Sequence, residues 1–301
     1  MAQVWQHNFI QELSRFDGVM GRGNVIVSID TEFPGCLHPT PRCATETERY
    51  ADMKSNVDDT RLIQLGLTLS DGNAFQTWEF NFAFDLDKDR YAEDSVGFLK
   101  KNGINFEKLR KEGIKWDDFG QSFAHLLSRH RNRLTWVTFH GLYDLAYLLK
   151  LVTGKRLPIL RDFAKSLADN VGGTFVDLKF CAMHFKDLMY GQLGLEKLGK
   201  LLGVYRVDGA AHHAGSDSLL TASVFWRMSN TCSPDRSGWM RILCSPDHYG
   251  SLYGLSISLS LVNSNSSSPP DSIAATPPAL CYGHGAYFSV PTVNTTVLVS
   301  Y

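Results

Sequence analysis

The chain has 301 residues, 44% of them apolar, and carries 30 Lys and Arg against 31 Asp and Glu. That is enough apolar material for one large core, and the net charge of −1 excludes a bulk basic field of the kind that coats nucleic acid non-specifically. The six cysteines form no CxxC pair, no hydrophobic signal opens the chain, and no run reaches transmembrane length, so we expect free thiols in a reducing compartment.

Residues 1–11 read as the start of an amphipathic helix with Trp5, Phe9, Ile10 and Leu13 on its apolar side. The run Val25-Ile26-Val27-Ser28-Ile29 predicts a strand buried on both faces. It leads into Asp30-Thr31-Glu32, where the two carboxylates, two residues apart, project side by side. Residues 34–47, rich in Pro, Cys and Thr, read as a loop. Two apolar strands follow at 61–69 and 74–82, joined through the hairpin signal Asp71-Gly72. Helices are predicted near 93–101 and 116–130. A short strand at 135–139 is then broken by His140-Gly141.

Asp144 falls in the first turn of a predicted helix at 143–153, whose apolar face includes Leu145, Leu148, Leu149 and Val152. A helix at 159–169 leads through Gly172-Gly173 to a strand at 174–178. Two helices, 194–203 and 216–228, complete the pattern. The second buries Leu219, Leu220, Val224, Phe225 and Met228, with Asp217 at its start and Ser216 as a candidate N-cap. Charges thin out from Asn230, and Ser, Pro, Asn and Thr dominate 263–278. We therefore expect a folded domain at 1–256 and a low-complexity, disordered tail at 257–301.

Any one of these acidic residues is unremarkable alone: a polar strand end, or a carboxylate favoured by a helix dipole. As a set, Asp30, Glu32, Asp144 and Asp217 spell a centre for two divalent cations, because a pair of ions about 3.5–4 Å apart needs several carboxylates to hold it. Adjacent carboxylates repel unless a cation lies between them, and hard oxygen ligands favour Mg2+ or Mn2+ over zinc. His212 stands five positions before Asp217 and His213 four.

This arrangement resembles the DEDD exonucleases, which share Asp-x-Glu, a second Asp after a strand, and a third Asp behind a His or Tyr. The His subclass uses His-x-x-x-x-Asp, which His212 and Asp217 satisfy, so the resemblance makes His212 the general base and His213 a flanking residue. The likeness narrows to the Caf-type deadenylase of the CCR–NOT complex. It is carried by Asp-Thr-Glu-Phe-Pro-Gly (30–35), Ile-Gln-Leu-Gly-Leu-Thr (63–68), Trp-Glu-Phe-Asn-Phe (78–82), Tyr-Ala-Glu-Asp-Ser (91–95), Ala-Gly-Ser-Asp-Ser-Leu-Leu-Thr (214–221) and Leu-Tyr-Gly-Leu (252–255). These segments agree in order across residues 1–255. Gly141-Leu142 and Ala211-His212-His213 depart mildly from the family pattern, and no catalytic position is lost.

The resemblance implies an RNase H-like α/β fold with one five-stranded mixed sheet and helices on both faces. It also implies a 3′-to-5′ exoribonuclease acting at the 3′ end of poly(A) RNA and releasing 5′-AMP, in cytoplasm and nucleus. Implied partners are the NOT scaffold subunit and a leucine-rich-repeat deadenylase subunit. Phe33 is a candidate to stack on the terminal base and His140 to approach the substrate; Asp177 plays a supporting part. Two further readings stay open. The chain could be mainly an adaptor with a weak or vestigial site, or the same fold could cleave a different phosphodiester.

Overall fold

Among the residues described by the computed structural model (1–41, 43–70, 74–229, 251–253 and 255), one mixed sheet of six strands organises the chain. The strands are β1 (Ala2–Val4), β2 (Val25–Glu32), β3 (Gln64–Ser70), β4 (Phe75–Asn81), β5 (Leu134–Thr138) and β6 (Thr174–Asp177), in spatial order β1-β4-β3-β2-β5-β6. β3 runs antiparallel to both β2 and β4; β5 is parallel to β2, β6 to β5, and β1 to β4. β3 is buried on both faces although its sequence alternates: Leu65, Leu67 and Leu69 enter the aromatic core, while Gln64 and Thr68 meet Ala214 and Ser218 on the other face. The turn predicted at Asp71-Gly72 lies outside the described residues, as does the boundary expected at 256.

Five of these strands are the expected ones. The sixth, β1, occupies residues where a helix was expected to begin. Asn8 explains the difference: its Oδ1 accepts from the Trp5 backbone N–H at 2.8 Å and its Nδ2 donates to the Gln3 carbonyl at 3.0 Å. That local turn ends the strand and delays the first helix, α1 (Phe9–Met20). A strand of three residues is too short for its alternation to register.

The remaining helices are α2 (Glu46–Asp59), α3 (Glu93–Lys101), α4 (Phe106–Glu112), α5 (Trp116–His130), α6 (Leu142–Thr153), α7 (Leu160–Asn170), α8 (Leu178–Ala182), α9 (Leu195–Leu201) and α10 (Ala214–Ser229). On one face of the sheet α1, α5 and α6 enclose Phe16, Trp78, Phe80, Phe119, Phe123 and Trp136. On the other, α8, α9 and α10 close over Val137, Val176, Leu198, Leu220 and Val224. Helices α2, α4 and the short α8 had no counterpart in the sequence reading. α2 buries only Tyr50, Met53, Asn56 and Val57 and is held at its start by a capping box between Thr45 and Glu48. α4 is capped by Asn105, which accepts from the Lys108 backbone N–H.

One cation ties α2 to the helix that carries Asp144. Lys150 of α6 donates from Nζ to the carbonyls of Val57 at 2.8 Å, Asp58 at 3.1 Å and Thr60 at 2.8 Å, satisfying the otherwise orphaned end of α2. Lys150→Met is expected to cost about 2 kcal/mol and to lower the melting temperature by roughly 5 °C. Thermal denaturation followed by circular dichroism checks this, and an unchanged midpoint would show the end of α2 to be held by other means.

Candidate active site

The carboxylates are placed by three element ends. β2 supplies Asp30 and Glu32, paired across the ladder with Gly66 and Gln64 of β3. Thr31, between them, donates from its hydroxyl to Asp144 Oδ1 at 2.6 Å, so the strand end and the first turn of α6 are pinned together. Asp144 itself is buried, 7% exposed, at the positive end of α6.

The turn that delivers Asp144 is shaped by Asp177 at the end of β6. Its carboxylate accepts from the backbone N–H groups of His140, Gly141, Lys179, Phe180 and Tyr253. A single buried acid thus caps α8, fixes the β5–α6 turn and holds the Tyr253 backbone. Burial pushes its carboxyl above the usual range, against the pull of these donors.

Asp217 arrives on α10, whose start lies directly on the sheet. Gly66 has no side chain to intervene; a Cβ there would fall 1.8 Å from the Ala214 carbonyl oxygen. The first free N–H groups of the helix are taken from below. Gly215 donates to Glu79 Oε2 at 2.9 Å and Ala214 to Gln64 Oε1 at 3.4 Å. Asp217 Oδ2 accepts the His212 backbone N–H at 2.9 Å, and Oδ1 accepts from Arg206.

His212 adopts a left-handed backbone, φ 62°, with its ring edge on Phe98 at 4.7 Å between centroids and its side chain exposed. Ligand atoms of Glu32, His212 and Asp217 all lie within 4.8 Å of one another. His213 turns away: Nε2 lies 2.8 Å from the Asn102 carbonyl and Nδ1 3.8 Å from Glu79. The Glu79 carboxylate raises the His213 imidazole to about 8.

Electrostatically the site is a frustrated cluster. Burial, followed by the charges of Asp217, Asp144 and Glu32, raises the Asp30 carboxyl well above its ordinary value, with Arg206 opposing. Glu32 is pushed up to about 8 by burial and Asp217, with His213 opposing. Asp144 rises to about 7, chiefly through burial, while the Thr31 hydroxyl pulls it back. Four carboxylates this close, offering only oxygen, fit a hard divalent cation, which would relieve the repulsion that the folded chain builds in.

Phe33 and His140 occupy different surroundings from the carboxylates. Phe33, half-buried, lays a ring face on Tyr143, 5.0 Å away and 4° from parallel, and packs on Tyr147 against the edge of the core. His140, at φ 64°, sets its ring against Tyr253, and desolvation with nearby Lys179 drives its imidazole down to about 3. It is neutral at physiological pH. The sequence reading missed Thr31, Gln64, Gly66, Glu79 and Arg206 as parts of the site. A signal existed for two of them: Gln64 and Glu79 are polar residues inside strands whose neighbours are otherwise apolar, and such groups are kept only with partners.

The family model for CAF1 family ribonucleases matches residues 4–119. Over 229 residues the chain is 42% identical to probable CCR4-associated factor 1 homolog 5 of Arabidopsis thaliana, spanning 75% of this chain and 81% of that one. It is 35% identical over 278 residues to the poly(A) ribonuclease pop2 of Schizosaccharomyces pombe, spanning 90% and 79%. The S. pombe Pop2p structure in its Mg2+- and Mn2+-bound form matches with a TM-score of 0.73 at 35% identity, over 84% of this chain and 99% of that one. A structure of the yeast NOT1 MIF4G domain co-crystallized with CAF1 matches with a TM-score of 0.66 at 29% identity, over 84% and 96%. With the sheet order, the site geometry and these likenesses in agreement, the chain belongs to the CAF1 family of ribonucleases.

Proposed function

We propose that this chain is a 3′-to-5′ exoribonuclease that shortens poly(A) tails, releases 5′-AMP and works within a CCR–NOT assembly. The observation that carries the reading is the convergence of Asp30, Glu32, Asp144 and Asp217 beside His212, in a chain 35% identical to a protein named poly(A) ribonuclease. Asp30, Glu32, Asp144 and Asp217 would hold two divalent ions, Mg2+ or Mn2+. When bound, such a pair acidifies a water and stabilises the departing 3′ oxygen.

The chain's own residues do the rest. The Thr31 hydroxyl and the α6 dipole favour the ionised form of Asp144, against its burial and the charge of Asp177. Glu79 and Gln64 seat α10 so that Asp217 meets Asp30 across the sheet. His212, exposed at the edge of the cluster, accepts the proton of the attacking water, a task suited to an imidazole at neutral pH. Its left-handed backbone is a local strain placed where a side chain must be aimed. His212→Ala is expected to lower turnover by about 10²- to 10⁴-fold while leaving intact the rise in melting temperature caused by Mn2+. A full rate in that variant removes His212 from the mechanism.

For the assembly, the support is the yeast CAF1 co-crystallized with the NOT1 MIF4G domain, whose fold this chain shares. The leucine-rich-repeat deadenylase follows from the family resemblance of the sequence. The function is tested with a 5′-labelled oligo(A)-tailed RNA, purified protein and Mg2+ or Mn2+, beside oligo(U) and oligo(C) tails. A ladder shortening from the 3′ end of the oligo(A) substrate is expected, with slower loss of the others. Absence of cleavage by folded protein would favour the adaptor reading, and equal cleavage of all three would remove the adenine preference.

A further inference from the structure

Residues 202–213, between α9 and α10, carry no helix or strand, yet they must present His212 to the carboxylates. The side chains flanking Arg206 face solvent: Tyr205 is 63% and Val207 81% exposed. Arg206 instead turns inward, its side chain 16% exposed against 14% for Asp217. Its two terminal nitrogens are divided between neighbours, Nη2 donating to Asp217 Oδ1 and Nη1 to Ser216 Oγ, each at 2.5 Å. The buried Ser216 hydroxyl donates onward to the Asp208 carbonyl at 2.7 Å, returning the contact to the loop. The loop is thereby tied to the start of α10 at two points on its near side. At its far end the His212 N–H, on Asp217 Oδ2, is the third tie.

We infer that Arg206 is a positioning residue for the reaction: its guanidinium brackets residues 206–212 onto Ser216 and Asp217 and so sets where the His212 imidazole stands. The inference rests on the general-base reading of His212. Planar bidentate geometry is what the position requires, because one head group must reach a carboxylate and a hydroxyl on adjacent residues at once. A lysine offers a point charge and can serve one of them well. Arg206 also lies close enough to oppose the raised carboxyl of Asp30, which makes it a resident counter-charge of the cluster.

The test is a double-mutant cycle on the full chain with oligo(A)-tailed RNA and Mg2+ or Mn2+. Arg206→Gln and Arg206→Lys are each expected to lower kcat by about 10- to 100-fold, the usual cost of losing a group that orients a ligand or base, with KM little changed. In a His212→Ala background the same substitutions are expected to cost less than about 2-fold, because a residue acting through another has nothing left to position. A readout free of activity accompanies it: hydrogen exchange of the His212 amide in the metal-free protein should accelerate in both variants. If Arg206→Gln does not fold, Arg206→Lys carries the cycle. Losses that multiply fully with His212→Ala, a rise in KM with kcat unchanged, or unaltered exchange at His212 would each overturn the bracket. Full activity of His212→Ala itself would instead refute the base reading, so the two failures are separable.

Discussion

Replacing Asp30 by Asn is expected to abolish RNA hydrolysis and, in the same molecule, to stabilise the metal-free fold. Loss of a cation ligand should lower the rate by about 10³-fold or more, since the bound ions supply several kcal/mol of transition-state stabilisation. The stability gain follows from the cluster's electrostatics. Glu32 and Asp144, at about 8 and about 7 when folded, bind protons more tightly than in the unfolded chain, where carboxyls titrate near 4. Between those limits the folded state carries the extra protons, so stability is fully present at low pH and is lost as pH rises toward 8. The metal-free wild type should therefore melt higher at pH 5 than at pH 8, and Mg2+ should raise the midpoint more at pH 8.

Asp30→Asn removes a charge that repels Asp217, Asp144 and Glu32, and one whose own burial opposes ionisation. At pH 8 without metal, its midpoint should lie about 5 °C above wild type. Adding Mg2+ should help the variant less than the wild type. Scanning fluorimetry at the two pH values, with and without Mg2+, decides the matter. An Asp30→Asn protein that melts lower than wild type at pH 8, or that still trims RNA, would show that the carboxylates are not a repelling, cation-binding set.

What the sequence revealed and what it hid divide along chain distance. Asp30 and Glu32 are legible because a strand's two-residue period fixes their shared direction, and Asp144 and Asp217 because each opens an apolar helix. The structure brings all four together with His212. The groups that hold them in place act across the fold: Gln64 and Glu79 serve Ala214 and Gly215, positions 150 and 136 residues away. No local pattern encodes such a pairing. Arg206 is nearer to Asp217 in sequence, but its loop has no periodicity from which an inward turn could be read. Among elements, β1 was hidden by its length, and α2 by a buried side in which Asn56 takes the place of an apolar residue. Asn56 is buried because it accepts from the His38 N–H and donates to the His38 carbonyl, a tertiary contact invisible to hydropathy.

Gly66→Ala should be the most damaging small substitution outside the carboxylates. The added Cβ would lie 1.8 Å from the Ala214 oxygen, 2.1 Å from its carbonyl carbon and 2.5 Å from the Gly215 nitrogen. All three are backbone atoms, so no rotamer change relieves the clash; β3 or α10 must move. β3 is locked on both sides by β2 and β4, which leaves α10 to lift. Lifting it strains the Gly215–Glu79 bond, the Ala214–Gln64 bond and the Thr68–Ser218 hydroxyl contact at 2.9 Å. It also carries Asp217 away from Asp30, directly opposite Gly66 in the ladder. The expected cost is about 3 kcal/mol or more, a fall of roughly 10 °C in the midpoint. The folded fraction should lose about 10²-fold in rate, since a displacement near 1 Å suffices for that. Gly97→Ala is the matched control: it lies in α3 with open space around its Cβ, and replacing a helical glycine there should leave stability equal or slightly higher. If Gly66→Ala instead tracks Gly97→Ala in both midpoint and rate, close contact between α10 and β3 is not what brings Asp217 to the site.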